Sequence, residues 1–146
     1  MKKLLVAGAV LVLVGAGCSP QMLSIGEAQV MSDDVVFNLE HNPKSVALYM
    51  RDTLGAENVN VDTLVAEFAQ MRTENGFMDP SNITVTSVED GVKSDAKVKG
   101  AKSFSNVTGT FTCGENGKQA GYQMELAYSG EWETWLLSGL SIESCK

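Results

Sequence analysis

The hydrophobic pattern changes its period within residues 62–88, which read DTLVAEFAQMRTENGFMDPSNITVTSV. In the first half, apolar side chains recur every three or four residues and form one face of a helix, which comprises Leu64, Val65, Phe68, Ala69 and Met71. Asn75-Gly76 ends this pattern, since glycine readily adopts the conformation that closes a helix. After Asp79-Pro80, apolar and polar residues alternate, which predicts a strand over 83–88. A helix from about residue 62 to residue 74 is therefore followed directly by a sheet.

A second helix precedes this boundary, and further strands follow it. Asn42-Pro43 is typical of a helix start, apolar residues at helical spacing come next, and Gly55 is a natural stop. Alternating patterns predict more strands over 92–99, 103–113, 122–128 and 131–143. Helices that precede a meander of strands indicate the α+β class. We expect two N-terminal helices packed on a curved antiparallel sheet of about four to five strands.

The final strands carry a pattern known from a group of small cone-shaped α+β proteins. Gly130-Glu131-Trp132 forms a closing hairpin, and residues 135–142 continue as a strand with a hydrophobic stripe. Together with the order of elements over residues 43–144, this pattern resembles the cystatin-like and nuclear-transport-factor-like proteins. The resemblance implies a sheet curled around a helix with room for a ligand, and it assigns no functional residue.

The amino terminus has the parts of an export signal. Lys2 and Lys3 precede an uninterrupted apolar run over residues 4–14. At about 1.5 Å per residue the run is roughly 16 Å long, which is too short for the ~30 Å hydrocarbon core of a bilayer. Small residues follow, so residues 1–17 are predicted to be a signal peptide.

The end of this segment, Gly15-Ala16-Gly17-Cys18, resembles the lipobox of bacterial lipoprotein precursors. Gly15 departs from that pattern, because most members carry leucine there. The resemblance implies that Cys18 receives a diacylglycerol and becomes the first residue of the mature chain. Ser19, where retained inner-membrane lipoproteins typically carry aspartate, then indicates the periplasmic face of the outer membrane. The alternative is cleavage after Ala16, which would give a soluble secreted protein.

The mature chain is expected to contain a tether and one domain. Residues 18–40 show little periodicity, which indicates a linker between lipid and domain. Within it we expect a short helix near Gly26–Val30 and a short strand or extended segment over 33–39. Residues 41–146 then form a single α+β domain, since about 129 mature residues suffice for one hydrophobic core.

The cysteines are odd in number: Cys18, Cys113 and Cys145. Lipidation of Cys18 would leave a pair that can form a disulfide in an oxidising compartment. Such a bond would close a loop of about 33 residues and stabilise the fold by roughly 3–4 kcal/mol. Two buried free thiols are the alternative. Two cysteines and one histidine do not favour a zinc site, and no cofactor is expected.

The charge of the chain argues against one class of partner. There are 11 basic and 18 acidic side chains, and the net charge is −7. Loss of Lys2 and Lys3 with the signal peptide changes the net charge to −9. Nucleic acid is therefore not an expected partner, and attachment to a membrane would have to come from the acyl chains.

A catalytic function has one candidate set of residues. Glu125, Glu131 and Glu133 could supply the paired carboxylates of a hydrolase that acts on an envelope polymer. A Glu-x-Glu after a turn is more typical of a solvated strand face. The single histidine, His41, could act as a general base only beside a nucleophile, and the sequence contains no Gly-x-Ser-x-Gly motif that would supply one. We therefore expect a non-catalytic envelope lipoprotein that binds an envelope protein or a small ligand, with the hydrolase as the alternative.

A binding function has its own candidates in the last strands. Tyrosine and tryptophan combine a large apolar area with a polar tip, which favours ligand or partner surfaces as well as core packing. Four such residues form the candidate surface: Tyr122, Tyr128, Trp132 and Trp135. Lysines on one face of the predicted strand over 92–99 either protect a sheet edge or meet an anionic polymer, and these are Lys93, Lys97 and Lys99.

Overall fold

The computed structural model describes residues 21–114 and 116–146, and these residues form an α+β fold. Within these described residues three helices come first: α1 (Ile25–His41), α2 (Pro43–Leu54) and α3 (Val61–Asn75). Four strands follow and form one antiparallel sheet in the order β1-β2-β3-β4: β1 (Ser81–Asp90), β2 (Ala101–Thr112), β3 (Gln119–Ser129) and β4 (Thr134–Ile142). Within this part of the chain, no helix combines the length and apolar character that crossing a bilayer requires.

The structure confirms the two helices that the sequence predicts. Pro43 occupies the first position of α2, where its missing N–H leaves no helical hydrogen bond unmade, and Gly55 closes that helix. Asn60 caps α3 by accepting a hydrogen bond from the Thr63 N–H at 3.0 Å. Gly76 ends α3 in the left-handed conformation, which glycine adopts without a steric penalty.

The third helix, α1, occupies the segment that was expected to be a tether. Ser24 and Glu27 form a capping box, in which the Ser24 hydroxyl accepts the Glu27 N–H and the Glu27 carboxylate accepts the Ser24 N–H. One face of α1 is buried in the core and comprises Ala28, Ser32, Val35, Val36 and Leu39. Phe37, which strand alternation would bury, is 49% exposed. The strand predicted over 33–39 is therefore wrong, and the packed domain begins at Leu23.

The sheet contains four of the five predicted strands. Residues 92–98 have no regular secondary structure and residues 99–100 form a turn. The side chains over 92–99 alternate between half-buried and exposed, but these residues pair with no strand in the described part of the chain, so the strand predicted there is wrong. The Val92 N–H donates to the Phe104 carbonyl at 3.2 Å, and the Ser94 hydroxyl donates to Glu125 Oε1 at 2.7 Å. Residues 91–100, the covering segment, therefore lie over the sheet face opposite the helices.

The covering segment encloses a second, smaller apolar strip. Phe104, Ala127 and Leu136 are register neighbours on β2, β3 and β4. Ala127 is fully buried although no helix packs on that side of the sheet. The half-buried residues of the covering segment therefore shield this strip from water. Its exposed lysines do not protect a sheet edge, contrary to one prediction, and these are Lys93, Lys97 and Lys99.

The main core lies between the helices and the other face of the sheet. α1 contacts β1 and α2 contacts β4, so the helical layer reaches both edge strands. Side chains alternate along β2 and β3 as predicted, and their core-facing members are almost completely buried: Val107, Phe111, Met124 and Leu126. Phe77, just after α3, packs on the edge of Phe111 with ring centroids 5.2 Å apart.

The domain has two distinct ends. At the proximal end, named for its closeness in sequence to Cys18, the Leu23 N–H donates to Asp90 Oδ1 at 3.0 Å, where β1 ends. The β3–β4 turn, residues 130–133, lies at the same end, because the Gly130 N–H donates to the Gly100 carbonyl just before β2.

The distal end lies at the other termini of the same elements. α1 ends there at His41, β2 ends before Cys113, and the C-terminal residues follow β4. The 17 residues of α1 separate the two ends by about 25 Å.

Candidate binding cleft

A cleft of about 510 Å³ opens at the distal end. The carboxyl ends of α1 and α3 form its walls. A cleft of this size can accept a small ligand or a side chain of a partner. Its lining mixes apolar and charged residues, and it includes Leu39, Glu40, Pro43, Phe68, Arg72, Met78 and Lys146.

Glu40 is a charged residue whose side chain is only 6% exposed. Its Oε1 lies 3.2 Å from Arg72 Nη2, and its Oε2 accepts a hydrogen bond from the Asp79 N–H. These two contacts satisfy a carboxylate that would otherwise be costly to bury. The Arg72 side chain is 49% exposed and carries several N–H donors. The cleft therefore offers donors to a ligand that bears an acceptor or a negative charge.

The Cys113–Cys145 disulfide holds one side of this cleft and confirms the predicted pairing. A flat sheet would separate the two positions by about 9–10 Å across one strand, whereas a disulfide requires Cα atoms within about 7 Å. The Cα atoms are 5.9 Å apart, because the Cys145 N–H donates to the Asn75 carbonyl at 2.7 Å and the C-terminal residues turn inward. The Lys146 ammonium then donates to the Thr73 carbonyl at 2.9 Å, at the negative end of α3.

Three residues beside the cleft carry side chains that can bind a metal ion. Glu40, His41 and Asp79 each offer one ligand atom, and these atoms lie within 4.8 Å of one another. The Arg72 guanidinium pairs with Glu40, and its positive charge opposes a cation at that position. His41 is exposed at the distal end and stacks on Phe37, with ring centroids 4.1 Å apart. We therefore assign no metal to this group.

The three glutamates considered for hydrolysis do not meet in one cleft. Glu125 lies in the middle of β3, and its Oε1 accepts hydrogen bonds from two hydroxyls, those of Ser94 and Ser138. Glu131 and Glu133 are exposed in the β3–β4 turn. The strand alone carries the chain about 13 Å from Glu125 before that turn begins. The carboxyl groups of a glycosidase pair lie about 5–9.5 Å apart.

The four aromatic candidates do not share a surface. Tyr122 and Trp135 are 2% and 5% exposed, and Tyr128 is half-buried against Trp135 with ring centroids 5.3 Å apart. Trp132, in the β3–β4 turn, is 71% exposed. Core packing, the other interpretation of these aromatic residues, therefore holds for Tyr122 and Trp135, because the alternation along β3 and β4 directs their side chains toward the core.

Tyr122 illustrates the environment of these buried rings. Burial raises the pKa of its hydroxyl, the neighbouring Ser32 hydroxyl opposes this rise, and Asp33 adds to it. Among the described residues, neither Tyr122 Oη nor Ser32 Oγ has a partner in standard hydrogen-bond geometry, so their mutual contact is weak. Burial likewise raises the pKa of Tyr49, with Asp34 adding to the effect, and its hydroxyl donates to the Trp135 carbonyl at 3.2 Å.

The expected lipidation site, Cys18, and the signal peptide over residues 1–17 lie outside the described residues. Comparisons of the chain with protein-family models, curated proteins and solved structures found no match.

The cleft residues were not predicted, although a faint signal for them exists. Glu40 follows the buried Val36 by four residues, and Arg72 follows the buried Phe68 by four residues. Each charge therefore extends the apolar face of its helix by one turn. Opposite charges at the ends of two apolar faces indicate that the two helices bring them together.

Proposed function

We propose that this chain is a bacterial envelope lipoprotein, anchored through Cys18, which binds an envelope protein or a small ligand without catalysis. The disulfide carries this proposal. Cys113 and Cys145 bond to each other, which leaves Cys18 as the remaining cysteine in the sequence, at the lipobox-like position. A disulfide also suits an oxidising compartment such as the periplasm. Ser19 supports attachment to the periplasmic face of the outer membrane.

The distal cleft is the surface that we propose for the partner or ligand. It combines an apolar floor with the half-exposed Arg72 and the Lys146 ammonium, in a protein whose overall charge is negative. The N–H donors of these two side chains favour a ligand group that carries a carboxylate or another acceptor. Glu40 positions the guanidinium and is itself satisfied.

We also propose that the sheet curls around its helices, as the resemblance to cystatin-like and nuclear-transport-factor-like proteins implies. Two observations support this proposal. The helices precede four antiparallel strands, and the helical layer contacts both β1 and β4, the opposite edges of the sheet.

Metabolic labelling with palmitate tests the anchor. The wild-type chain should incorporate label, Cys18→Ser should abolish incorporation, and Cys145→Ser should retain it as the matched cysteine control. Mass spectrometry of the first mature peptide gives a second measurement. An acylated Cys18 supports the proposal, whereas an unmodified chain that begins at Gly17 would show cleavage after Ala16 and a secreted protein.

Capture from envelope extracts tests the cleft. Arg72→Gln should lose partners that the wild-type domain retains, because the donors of the guanidinium are lost. Arg51→Gln is the matched control, since Arg51 is 38% exposed and pairs with its neighbour Asp52 at 2.8 Å on α2. Equal capture by both variants would contradict a role for the cleft. Cleavage of an envelope polymer by the purified wild-type domain would favour the hydrolase instead.

A further inference from the structure

The large apolar side chains that are most exposed lie together at the proximal end. In the described residues, four of them are more than two-thirds exposed: Met22 at 72%, Ile25 at 68%, Val30 at 69% and Trp132 at 71%. The first three belong to the start of α1 and the residues just before it, and Trp132 belongs to the β3–β4 turn. Exposed apolar residues that gather in one region mark a surface that meets a partner or a membrane.

A groove connects the two parts of this apolar region. It has a volume of about 380 Å³ and lies between the start of α1 and the start of β4. Val30 and Met31 line it from the helix, and Thr134 and Trp135 line it from the strand that follows Trp132. Val30 lines this groove, Trp132 precedes the groove residue Thr134 by two positions, and Met22 and Ile25 lie just before and at the beginning of α1. We call Met22, Ile25, Val30 and Trp132 at this end of the domain the proximal patch.

The position of the proposed anchor identifies what covers the proximal patch. The Leu23 N–H is bonded to Asp90, so the chain leaves the domain at this end. Cys18 precedes Met22 by four residues, which span at most about 14 Å even when fully extended. We propose that the proximal patch rests on the lipid bilayer that holds the acyl chains of Cys18. This inference rests on the proposed lipoprotein function.

The residues around Trp132 determine how deeply the patch enters the bilayer. Glu131 and Glu133 flank it and are exposed, so burial of this turn in hydrocarbon would be costly. Tryptophan is favoured at the level of the lipid headgroups, where its ring is partly apolar and its N–H stays hydrated. The flanking carboxylates would also be repelled by anionic lipid headgroups. Trp132 therefore lies in the headgroup layer of a zwitterionic bilayer.

Docking in this way orients the whole domain. α1 extends about 25 Å from the proximal end, which contacts the bilayer, to His41 at the distal end. The distal cleft then faces away from the membrane, toward the aqueous space.

Fluorescence quenching of the intact lipidated protein tests this proposal. The protein is reconstituted into phosphatidylcholine vesicles that contain a lipid with a nitroxide on its headgroup, and iodide serves as the aqueous quencher. Emission of Trp132 is obtained as the difference between wild type and Trp132→Phe, since Trp135 is 5% exposed and contributes to both. We expect the Trp132 emission to be lost to the nitroxide lipid and protected from iodide.

A tryptophan at the distal end is the matched control. Met78, which lines the distal cleft, is 39% exposed, so Met78→Trp in the Trp132→Phe background moves the reporter to the other end. Its emission should be quenched by iodide and unaffected by the nitroxide lipid. If Trp132 is likewise quenched by iodide and unaffected by the nitroxide lipid, the patch does not contact the bilayer and the proposal is overturned. Protection of Trp132 from both quenchers would also overturn it, because a protein, such as a second copy of the chain, would then cover the patch.

Mass spectrometry of the same sample separates the two proposals. Absence of acyl chains on Cys18 refutes the proposed function, whereas an acylated protein with Trp132 quenched by iodide refutes only the docking of the patch.

Discussion

Substitution of Gly109 by alanine tests the packing of the sheet against the helices. Gly109 lies on the core face of β2, directly opposite Tyr122 of β3. A Cβ at this position would lie 2.3 Å from both Cζ and Oη of Tyr122, and 2.5 Å from the backbone oxygen of Thr84 on β1. Carbon atoms pack best at about 3.5–4.0 Å, so the ring would have to move by more than 1 Å.

The structure allows little of that movement. Tyr122 is 2% exposed, and the Thr84 oxygen belongs to the backbone of the neighbouring strand. Overpacking in a closed core costs about 1–3 kcal/mol, and we expect Gly109→Ala to cost about 3 kcal/mol. At a urea m-value of about 1.5 kcal/mol/M, the midpoint of unfolding would fall by about 2 M.

Urea unfolding of the domain from Ser19 onward, with its disulfide intact, measures this effect. Gly26→Ala is one control, because the nearest atom to its added Cβ is 4.0 Å away and alanine favours the helix. Gly100→Ala is a second control, since it has open space but a φ of +72°, and it should cost about 1 kcal/mol from backbone strain alone. A midpoint for Gly109→Ala no lower than that of Gly100→Ala would refute the reasoning.

Four further outcomes follow from contacts in the structure. Cys145→Ser should lower the free energy of unfolding by about 3 kcal/mol in oxidising buffer and leave it unchanged, relative to wild type, in reducing buffer. Because the pKa of Tyr122 is raised in the folded state, its contribution to the free energy of unfolding is fully present below pH about 10, the ordinary tyrosine value, and is lost as the pH rises further. Tyr122→Phe should therefore reduce the fall in thermal midpoint at alkaline pH. Glu40→Ala should cost about 1–3 kcal/mol in urea unfolding because it removes the acceptor of a backbone N–H, and Glu40→Gln should cost less. Ser24→Ala should cost about 1 kcal/mol through loss of the cap on α1, and hydrogen exchange should show faster opening at Glu27.

α1 could have been predicted from the sequence, since its signals are present. Ser24 and Glu27 have the spacing of a capping box, and buried positions follow at helical intervals. Two features hid them. A polar residue, Ser32, occupies a core position, and apolar residues such as Val30 and Phe37 are exposed. The core face of α1 therefore contains a polar residue, and its exposed face contains apolar residues, so the helical pattern of apolar positions is weak.

The covering segment shows a different limit. Alternation over 92–99 predicts a strand, which is wrong, although every second side chain of the segment is half-buried as that pattern implies. The same alternation arises whether the segment adds to a sheet edge or lies across a sheet face, because both arrangements bury every second side chain. Only the pairing partners distinguish these cases, and they are set by contacts such as that of Ser94 with Glu125.

The disulfide could be predicted from the number of cysteines, whereas the cleft depends on contacts between distant segments of the chain. Cysteine number was enough to predict the bond between Cys113 and Cys145, although the inward turn that makes it feasible depends on the distant Asn75. The cleft depends on three separate parts of the chain, which meet around Glu40 and Arg72. No local window contains that information.

The covering segment also affects the tendency of folded molecules to aggregate. It makes few backbone hydrogen bonds to the sheet, so it can detach at lower cost than any strand. Detachment would expose the apolar side chains of Phe104, Ala127 and Leu136 on an otherwise native molecule, and an exposed apolar patch promotes aggregation. Ser94→Ala removes a hydrogen bond that holds the segment on the sheet. It should therefore cause aggregation that light scattering detects, while circular dichroism still reports an intact fold.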